Sequence, residues 1–300
     1  MLGRGVAERL ARHPQHMLLA PEVVEIIREA DLFVLNLECC ISARGEPMPG
    51  RVFHFRAPPW AAVALAQLGV HCVTLANNHA LDFGTDALLD TLAHLDAAGI
   101  RAVGAGTDSE RARAPVVLDT GGFRLAVVAC SDHPAEYAAD ANRPGIAYAD
   151  LGRLLPEWLT EFPDADAVLV TPHWGPNMTS EPPGYIRQAA QALVDAGATI
   201  VAGHSAHVFH GVAPHVLYDL GDFVDDYRVD RRLRNDLGLL FLVDLTRDRL
   251  EAIPLKLEFA QTRLATGDDA EEIRGAFIAA SAALGTEVAE ENDRLVACWR

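Results

Sequence analysis

The 300-residue chain carries 25 Lys plus Arg against 42 Asp plus Glu, a formal charge of −17 that argues against nucleic-acid binding driven by a general positive field. Half of its residues are hydrophobic and 22% are charged, so it is long and apolar enough to bury a full core and does not belong to the disordered class. No run approaches the roughly 18 uncharged apolar residues needed to cross a bilayer, and the opening MLGRGVAERLARHPQH lacks the apolar core of a signal peptide. As written, the sequence reads as a cytoplasmic protein with no membrane span.

In chain order, Pro21 to Ala30 has helical spacing behind a proline start, and Asp31 to Leu37 reads as a buried strand followed by a polar Gly/Pro loop over Ser42 to Arg51. Pro58 to Leu68 is predicted helical, Val70 to Leu75 a strand ending in Asn77-Asn78-His79, and Thr85 to Ala98 a helix closed by Gly99. Val116 to Leu118 and Phe123 to Cys130 bracket Gly121-Gly122 as a hairpin, and Leu151 to Glu161 is predicted helical. Ala167 to Thr171 is a strand leading into His173-Trp174-Gly175. Ile186 to Ala196 is a helix, and Thr199 to Ala202 a strand leading into Gly203-His204. Val216 to Leu220, Leu237 to Leu245 and Leu250 to Phe259 suggest an antiparallel second half, closed by a helix over Asp269 to Ala283. No repeat or long linker interrupts this order, so the reading is one α/β domain over residues 1–300.

Four segments place metal-type ligands just past strands: Asn36-Leu37-Glu38, Asn77-Asn78-His79 with Asp82, His173, and His204 with His207. In open α/β folds the carboxyl ends of strands are where loops meet, so residues far apart in sequence are delivered to one place. Imidazole nitrogens with carboxylate and amide oxygens suit Mn, Fe, Zn or Co. The five cysteines form no CxxC pair, which argues against a structural zinc site and for reduced thiols. A single His or Asn-Asn after a strand is ordinarily a satisfied polar residue or a turn former. Gly203-His204-Ser205-Ala206-His207 is the most specific segment, because two histidines three apart after a glycine at a strand end can face a metal pair. His210 reads as a loop residue.

NLE at 36–38, ANNHALDFG at 76–84, HWG at 173–175, GHSAHV at 203–208 and YDLGDFV at 218–224 resemble, in order and spacing, the motifs of the CapA family. These bacterial proteins are named for capsule and poly-gamma-glutamate synthesis. The resemblance covers about residues 1 to 245 and implies a four-layer α/β/β/α sandwich of the calcineurin-like metallophosphatase type with two metal sites. It implies Glu38 as the bridging acid, Asn78, His173 and His204 on one metal, and His207 on the other. It sets His79 beside the substrate as proton donor or phosphate contact, with Asp82 as its orienting partner. Arg4 is a candidate substrate-binding residue, Arg56 a weaker one, and Phe53, His54 and Phe55 read as loop packing near the same mouth.

Three departures from the family pattern bear on function. Relatives usually carry an apolar strand ending in Gly-Asp before a segment like Met1 to Val6, so as written the sheet lacks an internal strand and one metal site lacks a carboxylate. Asn177 stands where many relatives have Glu. Asp222 stands where Asn is frequent, making an acidic cluster of Asp219, Asp222, Asp225, Asp226 and Asp230 that reads as a solvated loop rather than a third cation site. The function expected is a metal-dependent, phosphoesterase-like hydrolase of an anionic small molecule or polymer. The alternatives are a non-catalytic accessory protein that guides a capsule polymer and an inactive truncated enzyme.

Overall fold

The computed structural model of the protein describes residues 1–12 and 18–299. Strands Val34–Asn36, Cys72–Thr74 and Arg101–Val103 form a parallel three-stranded sheet. A second, six-stranded sheet runs in the order Val212–Ala213, Val216–Leu217, Ile200–Ala202, Ala167–His173, Phe123–Ser131, Val116–Thr120. Its four central strands are parallel, and Val116–Thr120 and Val212–Ala213 pair antiparallel at the two edges. The predicted hairpin is present, with Gly121 and Gly122 at φ +60° and +91°, backbone that favours glycine.

Alternation along the strands decides what each face meets. Ala126, Val128 and Cys130 pack with Ile186, Ala190 and Leu193 of helix Gly184–Asp195. Their neighbours Leu125, Val127 and Ala129 pack with Cys72, Ala76 and Val103 of the first sheet. On the other side of that sheet, Val73 and Leu75 join Leu65 of helix Ala61–Gln67 and Leu88 and Leu95 of helix Gly84–Ala97. The carboxyl half is antiparallel as expected. Leu237–Asp244 pairs with Arg249–Glu258, which also pairs with Arg294–Cys298 and Gln261–Leu264, and helix Gly267–Ala283 covers this sheet through Ile273 and Phe277.

Two expectations are corrected. Leu151 to Glu161 holds only a short 3₁₀ turn, Glu157–Leu159, because Pro156 lacks a donor and disfavours helical geometry at the preceding residue. Val216–Leu217 belongs to the mixed sheet, parallel to Ile200–Ala202, because its partner is the preceding crossover strand rather than the carboxyl-terminal meander.

Val34–Asn36 and Leu237–Asp244 are edge strands of their sheets. Both line a cavity of about 890 Å³, largely apolar, whose walls also include Met1, Leu2, Leu125, Leu169 and Leu217. The cavity reaches Asn36, Glu38, His204, His207 and Asp222. It lies between the edge strands of the two sheets.

Candidate metal and substrate site

Because the central strands of both sheets are parallel, their carboxyl ends deliver side chains to a shared edge. Glu38 follows Val34–Asn36, Asn77 to His79 follow Cys72–Thr74, His173 ends its strand, and His204 follows Ile200–Ala202. Amide contacts lock the first two ends together. Asn77 Nδ2 donates to Asn36 Oδ1 at 2.9 Å and to the Leu37 carbonyl at 3.0 Å, while Asn36 Nδ2 donates to Glu38 Oε2 at 2.9 Å. One oxygen of Glu38 is thereby held and the other, Oε1, is buried without a partner.

His79 is oriented from two sides. Its backbone N–H donates to Asn77 Oδ1 at 3.0 Å, and its Nδ1 donates to Asp82 Oδ2 at 2.7 Å. Asp82, fully buried, also accepts the Phe55 N–H at 2.7 Å, and the Phe55 ring meets the His79 ring edge-on at 4.7 Å. With Nδ1 committed as donor, the neutral ring keeps Nε2 as its acceptor, 4.0 Å from Glu38 Oε1.

On the other side, His173 and His204 share a hydrogen between their Nδ1 atoms at 2.7 Å, and Thr171 Oγ1 lies 3.1 Å from His204 Nε2. Burial, then the neighbouring histidines, depresses His173 well below the usual range, and burial, with His133 behind it, brings His204 down to about 3. Both rings are neutral at pH 7, the state that ligates metals. Burial also opposes a charge on His207, but the Asp222 carboxylate at 2.9 Å, with Glu38 and Asp219, outweighs it and pushes His207 up to about 9.

The Gly203–His207 turn is held against its own backbone preference, with Ser205 at φ +139° and His207 at +64°. Asp219 Oδ2 accepts the Ala206 N–H at 2.8 Å, and Ser205 Oγ donates to the Gly175 carbonyl at 3.1 Å. Gly203 is required by close approach, since a Cβ there would stand 2.3 Å from Trp174 Nε1 and 2.4 Å from the Tyr218 carbonyl. Those two groups are themselves hydrogen-bonded at 2.8 Å.

The acidic cluster is not the solvated loop expected. Asp219 and Asp225 are 2% and 6% exposed, Asp222 holds His207, and Asp226 accepts the Gly5 N–H at 2.9 Å and pairs with Arg4 at 3.3 Å. Asp230, which caps the turn at Arg232 and Leu233, is the exposed member. Burial, then Asp222, lifts Asp225 to about 8. Chain folding brings the Met1–Arg12 segment onto this loop, a contact that sequence spacing does not reveal. Arg4 lies over the rings of Phe53, Phe55 and Tyr227 at 5.1, 5.3 and 6.0 Å, and Tyr227 meets the His207 ring at 5.1 Å. Arg56 instead donates to the carbonyls of Arg44 and Gly45 and stacks on Phe83, a loop clamp. His210 is buried and bonded to the Thr179 carbonyl, and Asn177 is exposed.

The sequence reading did not single out Asp132 and His133, which follow strand Phe123–Ser131 as the other site residues follow theirs. The His133 ring lies 5.0 Å from that of His173. The polar Ser131-Asp132-His133 run past a strand's end was the available signal.

Among the described residues, no three His, Cys, Asp or Glu side chains surround one point as a ready metal cage. The fit of a divalent ion rests instead on unsatisfied atoms: Glu38 Oε1, Asn78 Oδ1 and His173 Nε2 are buried without a hydrogen-bond partner. Buried polar atoms normally find partners, and nitrogen and oxygen donors of these kinds are ones that Mn, Fe, Zn or Co accept.

The chain is 33% identical to a probable polyglutamine synthesis accessory protein of Mycobacterium tuberculosis, over 89% of this chain and 76% of the relative. It is 27% identical to the PGA biosynthesis protein CapA of Bacillus subtilis, over 87% and 70%. A solved structure of a hypothetical protein from Thermus thermophilus aligns over 82% of this chain and 92% of that one, with a TM-score of 0.44 and 18% identity. The family model described as bacterial capsule synthesis protein PGA_cap matches residues 1–227, and the chain belongs to that family.

Proposed function

We propose that this protein serves capsule or poly-gamma-glutamate biosynthesis as a metal-dependent, phosphoesterase-like hydrolase of an anionic substrate. The observation that carries the reading is the set of buried, unpartnered donor atoms of Glu38, Asn78 and His173 beside the oriented His79–Asp82 pair. The two sheets with helices outside them then serve as a four-layer α/β/β/α sandwich, and Glu38, Asn78, His173, His204 and His207 hold up to two divalent ions. When bound, such ions lower the pKa of a bound water and offset charge on the attacked centre.

The chain's own residues do the rest. His79, locked by Asp82, keeps Nε2 at the Glu38 side of the site, where it exchanges a proton with the attacking or leaving oxygen. His207, held protonated by Asp222 in the ion-free state, would have to give up that proton to hold an ion. Arg4, braced by Asp226 and three aromatic rings, offers its guanidinium to an anionic group.

The test is turnover of bis(p-nitrophenyl) phosphate with Mn²⁺. Wild type is expected to turn over, and His204→Ala with His207→Ala to lose metal-dependent activity while keeping its circular dichroism. Activity unchanged in the double variant would sink the reading. The mycobacterial relative's designation as an accessory protein favours a second reading in which the same site binds or guides a polymer without cleaving it. Poly-gamma-glutamate binding that survives chelation, with no phosphoester cleavage, would select that reading.

A further inference from the structure

Next to the His173–His204 pair lies a separate cleft of about 320 Å³, lined by Asp132, His133, Asp150, Gly152, Gly175 and Tyr185. Its centre is a second His–Asp pair, in which His133 Nδ1 donates to Asp132 Oδ1 at 2.5 Å. The other Asp132 oxygen accepts the Gly175 N–H at 3.1 Å and the Tyr185 hydroxyl at 3.0 Å. Asp132 is therefore fully used in holding the ring, and its side chain is only 10% exposed. His133, by contrast, is one-third exposed in the cleft and keeps one face against His173. With Nδ1 bound to Asp132, Nε2 is the ring nitrogen left for a further hydrogen bond, as an acceptor in the neutral tautomer. At the rim, Asp150 accepts the Gly152 N–H at 3.2 Å and pairs with Arg153 at 2.9 Å. The rim arginine is thus already paired and the Asp150 carboxylate is an acceptor, so the cleft suits a group that donates hydrogen bonds.

We propose that this cleft is a substrate subsite that takes the hydroxyl- or amine-bearing part of the molecule whose anionic group is held at the His173–His204 centre. His133 is the specificity-determining residue, and Asp132 and Tyr185 position it. This inference rests on the anion-binding reading of the main site. It adds which part of the substrate lies on which side of His173.

The experiment compares inorganic phosphate with glycerol 3-phosphate, the same anion bearing hydroxyl donors, by calorimetry on the full chain with micromolar Mn²⁺. Wild type is expected to bind glycerol 3-phosphate about tenfold more tightly, the worth of one or two added hydrogen bonds. His133→Ala is expected to erase that preference and change phosphate affinity by less than threefold. His133→Gln, which keeps an amide acceptor, is expected to restore part of it, and Tyr185→Phe to weaken it. Equal affinity for the two ligands in wild type, or an unchanged preference in His133→Ala, overturns the subsite and leaves the main-site reading standing. Failure of both ligands to bind wild type overturns the main-site reading and the subsite with it.

Discussion

His207 Nδ1 donates to Asp222 Oδ1 across 2.9 Å, tying the Gly-His-Ser-Ala-His turn to the Leu-Gly-Asp loop that follows it in the chain. His207 stands at about 9 in the folded protein against an ordinary 6.5. A histidine raised in this way contributes stability that is fully present below pH 6.5 and is lost as pH climbs through 9. The metal-free protein is therefore expected to lose on the order of 3 kcal/mol from this pair between pH 6 and pH 10. Asp222→Asn should flatten that part of the profile. Urea unfolding in chelator at pH 6, 8 and 10 measures it, and the same pH slope in both proteins would contradict the assignment.

The same pair sets how an ion would enter. His173 and His204 are neutral at pH 7, but His207 must first lose a proton. On the proposed reading, Mn²⁺ affinity rises by up to about tenfold per pH unit between 7 and 9, with up to one proton released per ion at His207. Calorimetry in buffers of different ionisation enthalpy counts the protons. Binding that is flat over this range would remove His207 from the ligand set.

Asp82→Asn keeps the shape of a fully buried side chain but replaces an acceptor that serves both His79 Nδ1 and the Phe55 N–H. We expect a stability loss of about 1–3 kcal/mol and a fall in kcat of about 100-fold or more, with KM changed little. A fall confined to KM would mean that Asp82 supports the loop and not the acid–base role of His79.

Gly203→Ala drives a Cβ into Trp174 and the Tyr218 carbonyl, which are buried and bonded to each other. The expected cost is about 1–3 kcal/mol, with altered near-UV circular dichroism from Trp174. Gly275, inside helix Gly267–Ala283 with open space where an added methyl group would sit, is the control: Gly275→Ala should stabilise by about 0.5–1 kcal/mol. Equal behaviour of the two variants would show that the turn tolerates a side chain.

Hydrophobic runs such as Ala167 to Thr171 and the polar residues just past them were enough to predict the parallel strands and the segments Glu38, Asn78-His79, His173 and His204-His207. Local pattern carries that information because strand period and turn chemistry are properties of short windows. The prediction failed at Leu151 to Glu161, where apolar spacing looked helical but Gly152 and Pro156 interrupt the backbone.

The sequence by itself thus determined the α/β class, where most strands fall along the chain and which residue types stand at their carboxyl ends. Only the tertiary structure decided who meets whom. The His79–Asp82 pair was already implied by the family resemblance, but the structure alone showed that Asp222 holds His207, that Asp226 holds Arg4 from more than two hundred residues away, and that the His133 ring meets that of His173. The physical reason is that hydrogen bonds and desolvation act through space, so charge state and orientation follow from neighbours that chain folding brings together.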